Sequence, residues 1–176
     1  SWPATGIATS VYSRHKATVE ALLDEAEHSY QSMRIVRMRT SLVFQRPAAS
    51  EIGRIFIGPA VPRWLLRPGR LPVVPGVRGL RFQATHASDI AAAYHAAVVR
   101  EVSGPFNIAS EPVIDPGLLA ETLGARQLPM TAGILRAAVA LGWHARVVPI
   151  EPAWIDMAMQ TPIMDCARAR HELGWE

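Results

Sequence analysis

A chain of 176 residues, 49% hydrophobic and 19% charged, is long enough for a domain with a real core and is not composed like a disordered one. No apolar run reaches the roughly 18 residues that a spanning helix needs, and no basic stretch leads into an apolar one at the N-terminus, so neither a membrane span nor a secretory leader is expected. Cys166 is the only cysteine and the six histidines lack ligand spacing, which excludes a disulfide framework, makes a metal site unexpected and fits a cytoplasmic protein.

Residues 1–9 read as loop, with Thr9 and Ser10 as candidate N-caps. From Val11 to about His28 the pattern is helical. Val11, Ala17, Val19, Leu22, Leu23 and Ala26 form the apolar side, and Asp24, Glu25 and Glu27 the wet side. Arg34–Phe44 alternates and is rich in β-formers, so it predicts a strand. Short helical stretches are expected at Ser50–Ile57 and around Val61–Leu66. Leu71–Val74 predicts a strand ended by a turn at Pro75-Gly76.

Phe82–His86 predicts another strand, and Ser88 or Asp89 caps a helix over Ile90–Val99. Gly104–Ala109 is a strand. Asp115-Pro116 opens a helix that Gly124 stops, followed by a short strand at Arg126–Leu128. Helices are expected from Thr131 to about Val147, from Pro152 to about Gln160, and over Cys166–Leu173 with Gly174 as the stop. Helix, strand, mixed short elements and then helices suit the second half of an open α/β sheet with a smaller mixed lobe.

The chemistry concentrates near the start. Tyr12 and Lys16 are four residues apart, hence on one helical face. A free tyrosine, with a pKa near ~10, is a poor base at neutral pH, and a neighbouring ammonium favours its phenolate. The spacing alone is equally that of two surface residues. The residue choice adds weight: seventeen of the eighteen basic side chains are Arg, and Lys16 is the one Lys. Lysine is a compact, tunable point charge, whereas arginine is a wide fork that resists deprotonation.

Charge is also uneven. From Arg34 to Arg81 there are ten Arg (34, 37, 39, 46, 54, 63, 67, 70, 78, 81) against one acid, Glu51. Such a stretch suits an anionic partner, or else a solvated face. Aromatic residues are not interleaved with these arginines and no nucleic-acid motif is visible, so a phosphate-bearing small molecule is expected there rather than nucleic acid.

Five motifs then occur in order: Tyr12-x-x-x-Lys16; Arg39-Thr40-Ser41-Leu42-Val43-Phe44; Phe82 to Ile90, containing Thr85-His86 and Ser88-Asp89; Gly104-Pro105-Phe106-Asn107-Ile108-Ala109; and Asp165-x-x-Arg168-Ala169-Arg170-x-Glu172-Leu173-Gly174-Trp175. This series resembles the extended short-chain dehydrogenase/reductases, the NAD-dependent epimerase/dehydratase family, over essentially the whole chain. The resemblance implies an α/β fold: the second half of a Rossmann-type doubly wound parallel sheet plus a smaller mixed α/β substrate lobe. Residues 1–47 would be the C-terminal part of the Rossmann-type domain. Residues 48–176 would be mainly substrate lobe, with about 82–109 returning to the sheet.

In that family Tyr12 would be the catalytic acid/base and Lys16 would bond the ribose of NAD or NADP and lower the tyrosine pKa. Ser41, Leu42 and Val43 would line the cofactor by their backbone, and Arg81 and His86 would lie on the substrate side. A homodimer through the Tyr12 helix is implied, served by Val19, Leu22, Leu23 and Ala26.

Two departures bear on this. Gln45-Arg46 stands where an aromatic-Gly-Pro corner is usual, and no Gly-rich turn precedes Tyr12 to cradle a pyrophosphate. Because the chain starts without Met and stops just after a helical pattern, the C-terminal part of a longer enzyme is expected, inactive alone. Its substrate would be a nucleotide sugar or related hydroxy/keto compound. The alternatives are a hydroxysteroid or ketone reductase of the same superfamily, and a non-catalytic fragment or remnant serving as a binding or dimerisation module.

Overall fold

The computed structural model describes residues 5–46 and 69–176. The helices expected at Ser50–Ile57 and Val61–Leu66 lie outside the described residues. The chain divides into two compact units. The described residues of the first are 5–45, 83–113 and 162–176. Those of the second are 46, 69–82 and 114–161. Both are α/β with short parallel strand pairs.

The first unit begins with α1, Val11–Ser29. Ser10 caps it, its hydroxyl accepting the Ser13 N–H at 3.2 Å. Next come β1, Val36–Thr40, and β2, Leu42–Phe44. After the second unit's β3, Val73–Val77, the first unit resumes with β4, Ala84–His86, α2, Ala87–Val99, and β5, Gly104–Ile108. Strand β1 pairs in parallel with β5, from Val36↔Gly104 to Thr40↔Ile108. Strand β2 pairs in parallel with β4, from Leu42↔Ala84 to Phe44↔His86.

The single strand expected over 34–44 is therefore broken at Ser41. The Ser41 N–H still donates to Ile108 O at 2.9 Å, while the Leu42 N–H donates to Gln83 O at 3.3 Å. Ser41 is the point where the chain changes neighbour.

The core of this unit follows from two periodicities. Gly104, Phe106 and Ile108 alternate inward along β5, and Ile90, Ala93 and Ala97 lie at helical spacing on α2. Cys166, Ala169, Leu173 and Trp175 close it from the C-terminal segment. Here the expected α-helix is shorter: residues 167–168 lead into a π-helical turn over Ala169–Leu173. Gly174, at φ 59°, ends it in the left-handed region, with Arg100 Nη2 only 2.9 Å from where a Cβ would lie. The Trp175 indole donates to Asp89 O at 2.8 Å, pinning the chain end to the start of α2.

Helix α1 sits differently from expectation. None of its residues is buried, and Val11, Val19 and Leu22 are about half exposed. Asp24 and Glu27, expected on the wet side, instead face the sheet with Glu20. All three engage Arg37 of β1, which is only 7% exposed. A guanidinium at that depth needs partners, and its partners draw the acidic stripe inward.

The second unit pairs β3, Val73–Val77, in parallel with β6, Arg126–Met130, across α3, Pro116–Leu123. Asp115 caps α3 through its carboxylate, which accepts the Leu118 N–H at 2.8 Å, and Gly124 stops it. Strand β3 runs through Pro75-Gly76 rather than turning there, with Val74 and Val77 buried. Proline is tolerated because, among the described residues, β3 pairs on one side only. Gly76 lets β6 approach: a Cβ there would sit 3.2 Å from Leu128 O. Helices α4, Ala132–His144, and α5, Ala153–Gln160, complete the unit, tied by Arg136 Nε to Asp156 Oδ1 at 2.8 Å. None of the described helices is long and apolar enough to cross a membrane.

Candidate active site

Tyr12 and Lys16 lie in the first two turns of α1, both exposed, and one helical turn apart on one face. The preceding loop is held against this end of the helix. The Ile7 N–H donates to Ser13 Oγ at 2.8 Å, and Arg14 Nη1 donates to Ala8 O. Gly6, at φ 73°, fits only because it lacks a side chain: a Cβ would lie 2.8 Å from Ser13 O.

Ser41, Leu42 and Val43 occupy the change of strand partner in the same unit. Leu42 and Val43 are about 40% exposed, leaving their surface open at the carboxyl ends of β1 and β5. In open α/β sheets ligands bind outside the carboxyl ends of strands, where neighbours diverge. The Ser41 hydroxyl is itself engaged, 2.7 Å from the Thr85 hydroxyl, which also accepts the Ser110 N–H at 2.9 Å.

His86 lies opposite Phe44 and is exposed. It is the N-cap of α2, the role expected of Ser88 or Asp89. Its Nδ1 accepts the Ser88 N–H at 3.3 Å, and Ser88 Oγ donates to Asp89 Oδ1 at 2.9 Å. The local reason is conformational: His86 is still extended, at φ −72° and ψ 145°, while Ser88 and Asp89 are already helical. Arg81 is exposed and belongs to the second unit, just before the Phe82–Ile114 bridge. Tyr12, Lys16, Ser41, Leu42, Val43 and His86 thus share a unit, and Arg81 does not.

Three arginines counted in the basic stretch serve internal partners. Arg34 donates to the carbonyls of Ala97 and Val98, each at 3.0 Å, and of Arg100, satisfying the open end of α2. Arg37 binds the α1 carboxylates, and Arg39 binds Glu20. Arg46, Arg70, Arg78 and Arg81 are exposed.

Two residues that the sequence reading passed over hold this end of the sheet. Thr85 is 2% and Gln83 5% exposed. The Gln83 amide accepts the Met164 N–H at 2.8 Å and donates to Met164 O at 3.4 Å, as a neighbouring strand would. The available signal is their period of two: polar side chains at 83 and 85 alternate with Phe82 and Ala84.

Cys166 is buried as well. Burial pushes its thiol pKa up, although the S–H donates to Ala109 O at 3.4 Å. Among the described residues no cluster of three or more His, Cys, Asp or Glu could hold a metal ion.

No family model matches the sequence, and no curated protein matches it. Solved structures do. The protein gox2253 superposes with a TM-score of 0.53 at 15% identity, over 93% of this chain and 49% of that one. A UDP-glucose 4-epimerase from Thermotoga maritima, solved with UDP-glucose, superposes with a TM-score of 0.50 at 16% identity, over 94% of this chain and 47% of that one. The chain therefore spans about half the length of these structures, and at such identity the likeness is one of fold.

Proposed function

We propose that this chain is part of an NAD(P)-dependent epimerase/dehydratase-type oxidoreductase of the extended short-chain dehydrogenase/reductase family. The carrying observation is the placement of Tyr12 and Lys16. They lie on one exposed face at the start of α1, in the same unit as the open Ser41–Val43 edge, within an epimerase-like fold. In this reading the Tyr12 hydroxyl exchanges a proton with a substrate hydroxyl or carbonyl. Lys16 orients the ribose hydroxyls. NAD or NADP, when bound, supplies the hydride acceptor. The backbone of Ser41, Leu42 and Val43 lines that end of the site, and His86 flanks it.

The residues fit the nicotinamide-ribose end of such a cofactor. Among the described residues, the starts of α2 and α3 do not supply a pyrophosphate cradle. Asp89 stands in the first turn of α2, and the Asp115 carboxylate already accepts an N–H at the start of α3. A carboxylate there opposes a second anion. The second unit is read as the substrate lobe, with exposed Arg46, Arg70, Arg78 and Arg81 suited to a phosphate-bearing small molecule such as a nucleotide sugar.

A second reading has its own observation. Val11, Val19 and Leu22 are about half exposed on α1, which suits a helix that pairs with its copy in a homodimer, with or without catalysis. Titration of the protein with NAD(H) and NADP(H), with Tyr12→Phe and Lys16→Arg beside wild type, separates the two readings. Cofactor binding with turnover lost in both variants supports the enzyme. Absence of binding by the intact protein overturns it.

A further inference from the structure

The geometry points to Arg37 as the positioning residue of α1: a buried guanidinium that docks the helix by binding three of its carboxylates, beside a half-buried seam of only Ala17, Leu23 and Ala26. That this helix matters to a reaction rests on the proposed roles of Tyr12 and Lys16. That it is docked by charge rests on the following contacts.

Glu20, Asp24 and Glu27 are spaced i, i+4 and i+7, so they form one stripe along α1. Arg37 Nη1 donates to Glu20 Oε1 at 2.8 Å and to Asp24 Oδ1 at 2.5 Å, and Nη2 donates to Glu27 Oε2 at 2.8 Å. Arg39 adds a contact to Glu20. The apolar contribution of α1 is divided: Val11, Val19 and Leu22 are 52%, 47% and 59% exposed, Ala17, Leu23 and Ala26 are half-buried, and no residue of the helix is buried.

The fork geometry explains the residue type. One guanidinium reaches three acids with its two terminal nitrogens, which a single ammonium on a thin stem does not do with the same directions. Its Nε is buried with no hydrogen-bond partner, so the hydrogen bonds of the group run to α1. Burial alone would lower the Arg37 pKa. The hydrogen bond to Asp24 and the charges of Asp24, Glu20 and Glu27 outweigh that and raise it.

The charged groups around this cluster are few. From α1 come the three acids, with His28 Nδ1 bonded to Asp24 O. From β1 come Arg37 and Arg39. From the C-terminal segment comes Arg168, paired with Glu172. Its Nη1 and Glu27 Oε1 lie 3.3 and 3.5 Å from the point where a Cβ of Gly104 would be. Gly104 therefore leaves the gap through which these charges approach one another.

A helix held this way can leave the sheet without opening the core, because no core residue belongs to it. Amide exchange followed by mass spectrometry on the full chain tests this. In Arg37→Met, peptides from α1 are expected to exchange at least about tenfold faster, while peptides covering Ile90–Ile108 stay within about twofold of wild type. Arg37→Lys, which keeps the charge and part of the pairing, is expected to exchange only about threefold faster than wild type. A side chain that merely filled volume would be replaced as well by Met as by Lys.

Unchanged α1 exchange in Arg37→Met, joint loss of protection by α1 and the core, or exchange in Arg37→Lys as fast as in Arg37→Met would each overturn the proposal. If Arg37→Met does not fold, Asp24→Asn alone decides: about threefold faster exchange of α1 is expected, and unchanged exchange overturns it. These readouts need no cofactor. A protein that binds no dinucleotide yet shows the exchange pattern would remove the enzymatic reading and leave the docking intact.

Discussion

The hydroxyl of Ser41 lies 2.7 Å from that of Thr85, across the point where the chain leaves β5 for β4. Thr85 also receives the Ser110 N–H, so one buried oxygen ties three segments together. Replacing Thr85 by Val keeps the shape and leaves the Ser110 N–H without its acceptor. A cost of about 1–3 kcal/mol is expected, because a buried donor is then unsatisfied. Thr85→Ser should recover most of it. Urea unfolding midpoints of the three proteins measure the difference.

Phe106 is fully buried, and the Arg168 guanidinium lies 4.2 Å from its ring centroid. Phe106→Ala should destabilise the first unit by about 3–5 kcal/mol, the usual cost of emptying an aromatic core site. Phe106→Leu should cost less while still losing the cation–π contact. The intrinsic fluorescence of Trp175, which packs in the same core, gives the unfolding signal.

The Arg168 hydrogen bond holds the Glu172 carboxyl below its ordinary value against an opposing desolvation, and the charges of Arg168 and His171 add to it. A depressed folded-state pKa gives stability that is present above the unfolded value and lost as pH falls through the folded one. The stability difference between wild type and Glu172→Gln should therefore shrink as pH is lowered through the carboxylate range. NMR titration of Glu172 Cδ checks the direction directly.

Cys166 carries the opposite sign. Burial raises its thiol pKa, so the folded state favours the protonated form. Its contribution is full below the ordinary thiol range and is lost as pH rises through it toward the folded value. At neutral pH the native thiol should react with a disulfide reagent far more slowly than the unfolded chain does. Equal rates would contradict the burial.

Asp115→Ala should cost about 1 kcal/mol, the typical loss of a helix N-cap, because its carboxylate accepts the Leu118 N–H. Asp115→Ser, which keeps a capping oxygen, should be nearly neutral. Circular dichroism during thermal unfolding compares them.

Local chemistry made some elements legible in the sequence. Asp115-Pro116 and Gly124 bound α3 as expected, since cap, first turn and left-handed stop are each set by one residue. Ser10 and the apolar spacing likewise give α1 its limits. What the residues could not disclose was α1's orientation. Charge usually marks the solvent side, and the group that reverses this, Arg37, lies in another element. Pro75-Gly76 signals a turn in isolation, and only pairing with β6 keeps it extended. The candidate site divides the same way. Tyr12 and Lys16 meet through helical spacing alone. The link from Ser41 through Thr85 to Ser110 exists only after three segments have met, and the N-cap passed to His86 because helical geometry begins earlier than the alanine-rich pattern implies.

The π-helical turn over Ala169–Leu173 sets the phase of the chain end. Its wider loop spends more chain on a single turn than an α-helix would, and it delivers Leu173, its last residue, and Trp175 beyond it into the core. Deleting one residue from this turn would let the backbone relax to ordinary α geometry, locally better bonded. The side chains beyond it would then swing by about 100°, the rotation of one helical step. Leu173 would leave its pocket, and the Trp175 indole would no longer point at Asp89. Chain length at this turn is thus under as much constraint as residue identity: conservative substitutions at exposed Arg170 and His171 should pass unnoticed, and the loss of either residue should not.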